Sequence, residues 1–210
     1  MKKILIALGF ALSASMASAT VVGNLEVYNE AAVVITPSDG GWGPIDIIAE
    51  GGYLSGTSGT LRALTDGIFT ATYLGQVASL GNFYLGGSQL NGTSNGGALG
   101  GTDSMAVLAG QDVNFGFGED GLGSIFYNGD VNQEHRGILF FANTFGLTDA
   151  NGQLFDFLIG YNDTATVNAD YDDYVVGVVN TVPVPAALPL MASALGAFAV
   201  ARRRNKAKAA

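Results

Sequence analysis

The sequence of 210 residues contains no cysteine and a single histidine, His135, and charged residues make up only 13% of the chain. The absence of cysteine excludes disulfide bonds and thiolate metal ligands, and a lone histidine excludes zinc sites that need two imidazoles. No phosphate-binding loop of the G-x-x-x-x-G-K type occurs either. Burial and sheet pairing must therefore stabilise the fold, and thiol, paired-histidine zinc and P-loop chemistry are excluded.

Basic residues are also scarce in the middle of the chain. All 18 aspartate and glutamate residues lie between Glu26 and Asp173, where the only lysine or arginine residues are Arg62 and Arg136. With two positive and 18 negative groups, the region 20–179 has a formal charge of −16. A surface this acidic disfavours nucleic acid and anionic lipid as partners, and it favours divalent cations or a self-repulsion that maintains solubility.

The N-terminus has the pattern of a secretory signal peptide. Lys2 and Lys3 precede an apolar run from Ile4 to Leu12, and the small residues Ala17-Ser18-Ala19 follow. The apolar run is too short to span a bilayer, and the small residues form a signal peptidase site. We therefore predict that residues 1–19 are a signal peptide cleaved after Ala19; the alternative is an ordinary buried helix.

The C-terminus, residues 180–210, is apolar and then basic. Proline residues interrupt its first part, so that an unbroken helix is favourable only from about Leu190 onward. A bilayer core needs about 20 apolar residues, so a transmembrane helix at about 186–201 would be short. The cations that follow it would be held on the cytoplasmic side of the membrane. The sequence thus predicts an exported domain, residues 20–179, with a temporary or permanent membrane stop.

This tail resembles a known sorting signal. Its elements are Val182, Pro183, Val184, Pro185 and Ala186, then a Leu/Ala/Gly-rich apolar segment, then Arg202, Arg203 and Arg204. In this order they resemble the PEP-CTERM class, specifically the VPLPA variant, with Val184 where that variant has leucine. The resemblance implies cleavage near the proline motif by an exosortase, a membrane-embedded cysteine protease. It also implies an inner-membrane-anchored intermediate and then a cell-surface or extracellular protein of a Gram-negative bacterium, in an exopolysaccharide or biofilm context.

Short apolar or alternating runs recur through the exported domain between turns rich in glycine, asparagine and aspartate. This pattern predicts an all-β fold, a β-sandwich with jelly-roll or Greek-key connectivity. Residues 51–67 carry no clear strand pattern and are expected to form a turn-rich excursion or a short helix. The segment 86–101 contains seven glycines and is expected to be a long surface loop, because ordering glycine is entropically costly.

Two acidic clusters are candidate metal ligands. Their carboxylates are Glu119, Asp120, Asp170, Asp172 and Asp173. Oxygen ligands of this kind suit calcium, which accepts carboxylates and carbonyls from irregular loops. Together the clusters resemble a pairing in secreted PEP-CTERM and related bacterial β domains, where an F-G-x-E-D segment precedes a D-Y-N-D strand, with Asp172 here in place of asparagine. We predict one calcium site that ties the last strand to the sheet; the alternative is a solvated acidic rim.

Catalytic signals are weak by comparison. Glu134, His135 and Arg136 lack a partnered nucleophile, so they are expected to form an exposed polar turn. Glycosidases need only two carboxylates, but nothing singles out a pair.

Six aromatic residues could stack on sugars from an exposed sheet face: Trp42, Tyr53, Tyr73, Tyr84, Tyr127 and Tyr161. Trp42, in a glycine-rich turn, is the predicted sugar contact. The prediction is a non-enzymatic structural protein of an exopolysaccharide matrix; the alternatives are a carbohydrate-binding module and, third, a glycoside-active enzyme.

Overall fold

The computed structural model describes residues 19–35, 55–75, 81–90, 99–119, 125–132, 136–144, 146–163, 171, 173–183, 191 and 193–195. Within this part, two antiparallel sheets contain the strands β1 (Thr20–Val22), β2 (Leu25–Val34), β3 (Ser55–Ala63), β4 (Gly67–Gly75), β5 (Gly81–Leu85), β6 (Ser88–Gln89), β7 (Thr102–Val107), β8 (Phe115–Glu119), β9 (Ile125–Tyr127), β10 (Gly137–Ala142), β11 (Phe157–Asn162) and β12 (Tyr174–Thr181). The prediction of an all-β fold is confirmed, and the two sheets form a sandwich-like arrangement.

The large sheet has the strand order β1-β2-β3-β10-β11-β12-β4-β7. Its centre is the β10–β11–β12 meander, whose residues are almost all buried. Alternate residues of these strands enter two different core clusters, with Phe140 and Ile159 in one and Leu139 and Leu158 in the other. Both faces of the meander are therefore covered, which explains why these strands are continuous apolar runs rather than alternating ones.

The small sheet has the order β6-β5-β8-β9 and packs on the large sheet through aromatic rings. The ring of Phe117 stacks on Tyr161 with centroids 4.9 Å apart and meets Tyr174 edge-on at 5.6 Å. Phe115 meets Phe140 edge-on at 6.3 Å. Stacked and edge-to-face pairs of this kind add about 0.5–1.5 kcal/mol each beyond their buried area. The interface between the sheets is thus an aromatic core.

β3 joins the large sheet to the segment that leads into the small sheet. Its N-terminal half pairs with β10 through Thr57 and Phe140. Its C-terminal half bonds instead to residues 111–113, just before β8, with N···O distances of 3.0 Å from Val113 to Leu61 and from Ala63 to Gln111. A bulge in the partner strand β2, between Tyr28 and Ala31, lies where β3 gains these additional partners, and a bulge of this kind bends a strand locally.

Two expectations about irregular segments were wrong. Ser55–Ala63 is a nine-residue strand, not a turn or a helix, because pairing with β2 and β10 compensates for its weak apolar pattern. In the glycine-rich segment, the expectation of a loop was wrong for residues 86–90, where Gly86 and Gly87, with φ of 59° and 84°, form the turn of a hairpin into β6; residues 91–98 lie outside the described residues.

Candidate functional site

The predicted calcium ligands are described only in part. Asp173 immediately precedes β12, and its Oδ2 accepts a hydrogen bond from the Asp163 backbone N–H at 2.7 Å, which links the end of β11 to the start of β12. Glu119 ends β8, but its side chain, like Asp120, Asp170 and Asp172, lies outside the described residues. Among the side chains that are described, no group of three or more His, Cys, Asp or Glu residues could hold a metal ion. The calcium site stays a prediction.

Tyr171 lies between Asp170 and Asp172 in the sequence and is itself described. It is buried, it belongs to the core cluster that contains Leu139 and Val175, and burial raises its pKa. Its φ of 58° is in the left-handed region, a conformation that costs a residue other than glycine about 1–3 kcal/mol and persists only where the surroundings enforce it. The tyrosine therefore fixes the backbone at position 171.

The sorting motif begins where the last strand ends. Val182 and Pro183 directly follow Thr181, the final residue of β12, and the Val182 side chain is 47% exposed. Val184, Pro185, Ala186 and the arginine cluster Arg202, Arg203 and Arg204 lie outside the described residues. Met191 and Leu195, in the helical part that follows, are exposed. In the described part of the chain, no helix has the length and apolar character needed to cross a membrane.

The polar turn around His135 differs from its prediction at the one position that is described. Arg136 is part-buried, and its Nε donates to the Tyr161 hydroxyl at 2.9 Å. Its guanidinium also lies 5.8 Å from the centre of the Phe126 ring. Arg136 is thus part of the aromatic interface between the sheets rather than an exposed turn residue. Glu134 and His135 lie outside the described residues.

The six aromatic candidates for sugar stacking have different environments. Tyr73 and Tyr161 are buried, so the prediction is wrong for these two, whose rings pack on Tyr174 and Phe117 in the core. Trp42 and Tyr53 lie outside the described residues. Tyr84 is half-buried and Tyr127 is 46% exposed. Of the six candidates, only Tyr84 and Tyr127 are both described and accessible to solvent.

Tyr84 and Tyr127 lie on the same face of the small sheet. The strand register aligns Gln89, Tyr84, Gly116 and Tyr127 in one row across all four strands. The next row contains Asn82, Gly118 and Ile125. We call these two rows the outer face of the small sheet, because the alternating residues Phe83, Phe117 and Phe126 point into the core.

Glycine at the centre of the outer face lets the larger side chains lie close to the backbone. A Cβ on Gly118 would be 2.8 Å from Cε2 of Tyr84, and a Cβ on Gly116 would be 2.6 Å from Cγ2 of Ile125. Both distances are shorter than real contacts allow. The tyrosine ring and the isoleucine therefore occupy space that the side chain of any residue other than glycine at positions 116 and 118 would need. The Tyr84 ring is therefore folded down against the sheet.

The sequence contains a signal for this face, the alternation within residues 115–119. In the segment 115–119, phenylalanine alternates with glycine, and a strand period of two places the phenylalanines inside and the glycines outside. The prediction for this part of the chain rested instead on its carboxylates, Glu119 and Asp120, as calcium ligands. Asn82 and Gln89 gave no signal; they are joined by a hydrogen bond of 2.7 Å from Gln89 Nε2 to Asn82 Oδ1.

A second polar group on the surface joins β2 and β3. The Arg62 guanidinium lies 4.4 Å from the centre of the Tyr28 ring and forms an ion pair with Glu26. The Tyr28 hydroxyl donates to the Asp112 carboxylate, with distances of 2.9 and 3.0 Å to its two oxygens. Burial and the nearby carboxylate of Asp112 raise the pKa of Tyr28. The charged side chains Arg62, Glu26 and Asp112 all have partners within this cluster, so we interpret the cluster as stabilising the structure of the surface.

Comparison with known proteins does not assign the chain to a family. No family model matches the chain, and no curated protein or solved structure shows significant similarity to it.

Proposed function

We propose that the chain is an exported structural protein of the cell surface or extracellular matrix, processed by signal peptidase and then by an exosortase. The observation that carries the proposal is the order of the C-terminal elements: the motif Val182–Ala186, the apolar segment and the cluster Arg202–Arg204. The acidic charge of the region 20–179 and the sandwich-like fold support it, because both suit a stable module outside the cell.

The end of the fold also supports processing at the tail. β12 stops at Thr181, one residue before the motif, and Val182 is largely exposed. A membrane protease that cleaves near the motif would therefore not have to unfold a strand. On this proposal, the transmembrane helix at about 186–201 anchors the precursor in the inner membrane until cleavage.

The beginning of the fold agrees with signal-peptide removal. β1 starts at Thr20, the residue that follows the predicted cleavage site at Ala19. The Thr20 backbone N–H donates to the Glu30 carboxylate. After cleavage, this nitrogen would be a positively charged amino terminus, so the same contact would become an ion pair.

Three finer features belong to the proposal. The connectivity is Greek-key-like, since β3 and β4 are consecutive in sequence but flank the β10–β11–β12 meander on opposite sides. Calcium would bind at the acidic clusters and stiffen the module. The protein would not be an enzyme, so it should have no activity on the producing cell's own polysaccharide matrix.

The test is processing of the full-length chain in a Gram-negative host with an exosortase and in a matched strain without one. We expect a shorter product at the cell surface or in the medium only when the exosortase is present. Replacing Pro183 and Pro185 with alanine should leave the precursor in the inner membrane, whereas alanine at the exposed residue Val131, outside the tail, should not affect processing. Identical products in both strains would contradict the proposal.

A further inference from the structure

We propose that the outer face of the small sheet binds a neutral polysaccharide, whose pyranose rings stack on Tyr84 and Tyr127. This inference deepens the proposed matrix function, on which it rests, because it names the class of ligand. The predicted contact was Trp42; the strand register instead favours Tyr84 and Tyr127, two of the other five aromatic candidates.

The first argument is the position of the rings. The inward-pointing Phe83, Phe117 and Phe126 fix the register of β5, β8 and β9, so Tyr84 and Tyr127 must point outward. Gly118 leaves room for the Tyr84 ring to lie against the backbone. A ring folded down in this way presents its other face to solvent, and the C–H face of a pyranose packs on such a surface.

The second argument is the spacing. Tyr84 and Tyr127 flank Gly116 in one row, so their backbones are two strand spacings apart, which is about 10 Å. That distance is comparable to the length of a disaccharide unit in an extended β-1,4-linked chain. A chain that crosses the strands could therefore place pyranose rings over both tyrosines at once.

The third argument is the polar group at the end of the row. Gln89 is exposed and pairs with Tyr84 across β5 and β6. Its Nε2 donates to Asn82 Oδ1 at 2.7 Å, which holds the amide in a fixed orientation. The amide oxygen of Gln89 can then accept a hydrogen bond from a sugar hydroxyl, as polar groups beside apolar contact surfaces do in carbohydrate-sized sites.

The fourth argument is charge, which selects among occupants. None of the seven residues in the two rows is an aspartate, glutamate, lysine, arginine or histidine; they are Gln89, Tyr84, Gly116, Tyr127, Asn82, Gly118 and Ile125. The domain around them is strongly acidic, so an anionic polymer or a second copy of the chain would be repelled. A neutral polymer meets no such repulsion.

The test is calorimetry on the full-length chain with cellohexaose and mannohexaose, two uncharged β-1,4-linked oligosaccharides. We expect at least one of them to bind, and Tyr127→Ala to weaken its binding about tenfold or more. Tyr127→Phe keeps the ring and should bind nearly as well as the original chain. The matched control is Tyr28→Ala, which removes a partly exposed tyrosine from the large sheet and should leave the affinity unchanged.

A glycine variant separates stacking from simple packing. Gly118→Ala keeps both tyrosines, but its methyl group would lie 2.8 Å from Cε2 of Tyr84 and would lift that ring from the sheet. We expect weaker binding in a variant that stays folded, because only the Tyr84 ring lies closer than 3.0 Å to the added methyl group and no backbone atom does.

Two results would overturn the inference: no binding of either oligosaccharide, or binding that neither Tyr127→Ala nor Gly118→Ala affects. A concentration-dependent dimer in sedimentation that Tyr127→Ala abolishes would also overturn it, by assigning the face to a second copy. Because the purified chain is assayed without any sorting step, failure here and failure of the exosortase experiment can be told apart.

Discussion

At the residue scale, Asn180 organises one end of the molecule. Its side chain is almost fully buried at 2% exposure, and its Nδ2 donates to the Thr65 carbonyl at 3.2 Å. Its own carbonyl accepts from Asn24 Nδ2 at 3.1 Å, and its backbone N–H donates to Asp156 Oδ2 at 3.1 Å. One asparagine thus joins β12 to two turns and to the residue before β11. Such buried polar groups stabilise a fold only when their partners are present.

Asp156 predicts a pH dependence. Desolvation raises the pKa of this half-buried carboxyl, and the hydrogen bond from Asn180 only partly opposes the rise. The folded state therefore holds the proton more tightly than the unfolded state. The resulting stability is fully present below the ordinary aspartate pKa of about 4 and is lost as pH rises through the raised value.

The variant Asp156→Asn keeps an oxygen that can accept from Asn180 but cannot ionise. We expect urea unfolding to show a higher free energy of unfolding than the original chain at pH 7, and a difference that shrinks toward pH 3. The control is Asp149→Asn: a hydrogen bond from the Gln153 backbone lowers the pKa of the Asp149 carboxyl, so this variant should show the opposite trend. Equal stability of Asp156→Asn and the original chain at every pH would show that the carboxyl is not effectively desolvated.

At the element scale, the strands that the sequence predicted are those whose own pattern carries the signal. β10 and β12 are continuous apolar runs, and in β8 phenylalanine alternates with glycine. β3 was missed because its first six residues, Ser55 to Thr60, are serine, glycine and threonine; its stability comes from distant partners that no local pattern reveals. β2 is a single strand of ten residues, although a bulge interrupts its alternation.

The candidate sites follow the same rule. The sequence could place aromatic and acidic residues near strands, but it could not say which aromatic residues are buried, since that depends on register and layer packing. Tyr161 and Tyr127 look alike in sequence, yet one stacks on Phe117 in the core and the other is exposed.

The contact between β3 and residues 111–113 predicts that Asn128 is important for stability. Its side chain accepts from the Leu61 N–H and donates to the carbonyls of Leu61 and Val113, each at 2.8 Å. We expect Asn128→Ala to lower the free energy of unfolding by about 2–3 kcal/mol, because three part-buried hydrogen bonds are lost together. Denaturant melts measure this, with the exposed Asn114→Ala as control. A loss as small as that of the control would mean that water replaces the side chain.

At the scale of the whole molecule, the excess of negative charge predicts a response to calcium. If the acidic clusters bind the ion in the folded state, saturating calcium must raise the thermal midpoint of the full-length chain, and a chelator must reverse the rise. Asp172→Ala should abolish the effect, whereas Asp103→Ala, on a distant edge strand, should retain it. An unchanged midpoint together with no heat of binding would reduce the clusters to a solvated acidic rim.

β3 pairs within the large sheet and also bonds to residues 111–113, which lead into β8 of the small sheet, so it ties the two sheets together. Separating the layers would break the bonds of β3 to β10 or to residues 111–113, and either break exposes the aromatic core. The molecule should therefore open as one cooperative unit. For a chain without disulfide bonds, this is a form of protection against proteases, which cleave mainly the transiently opened state.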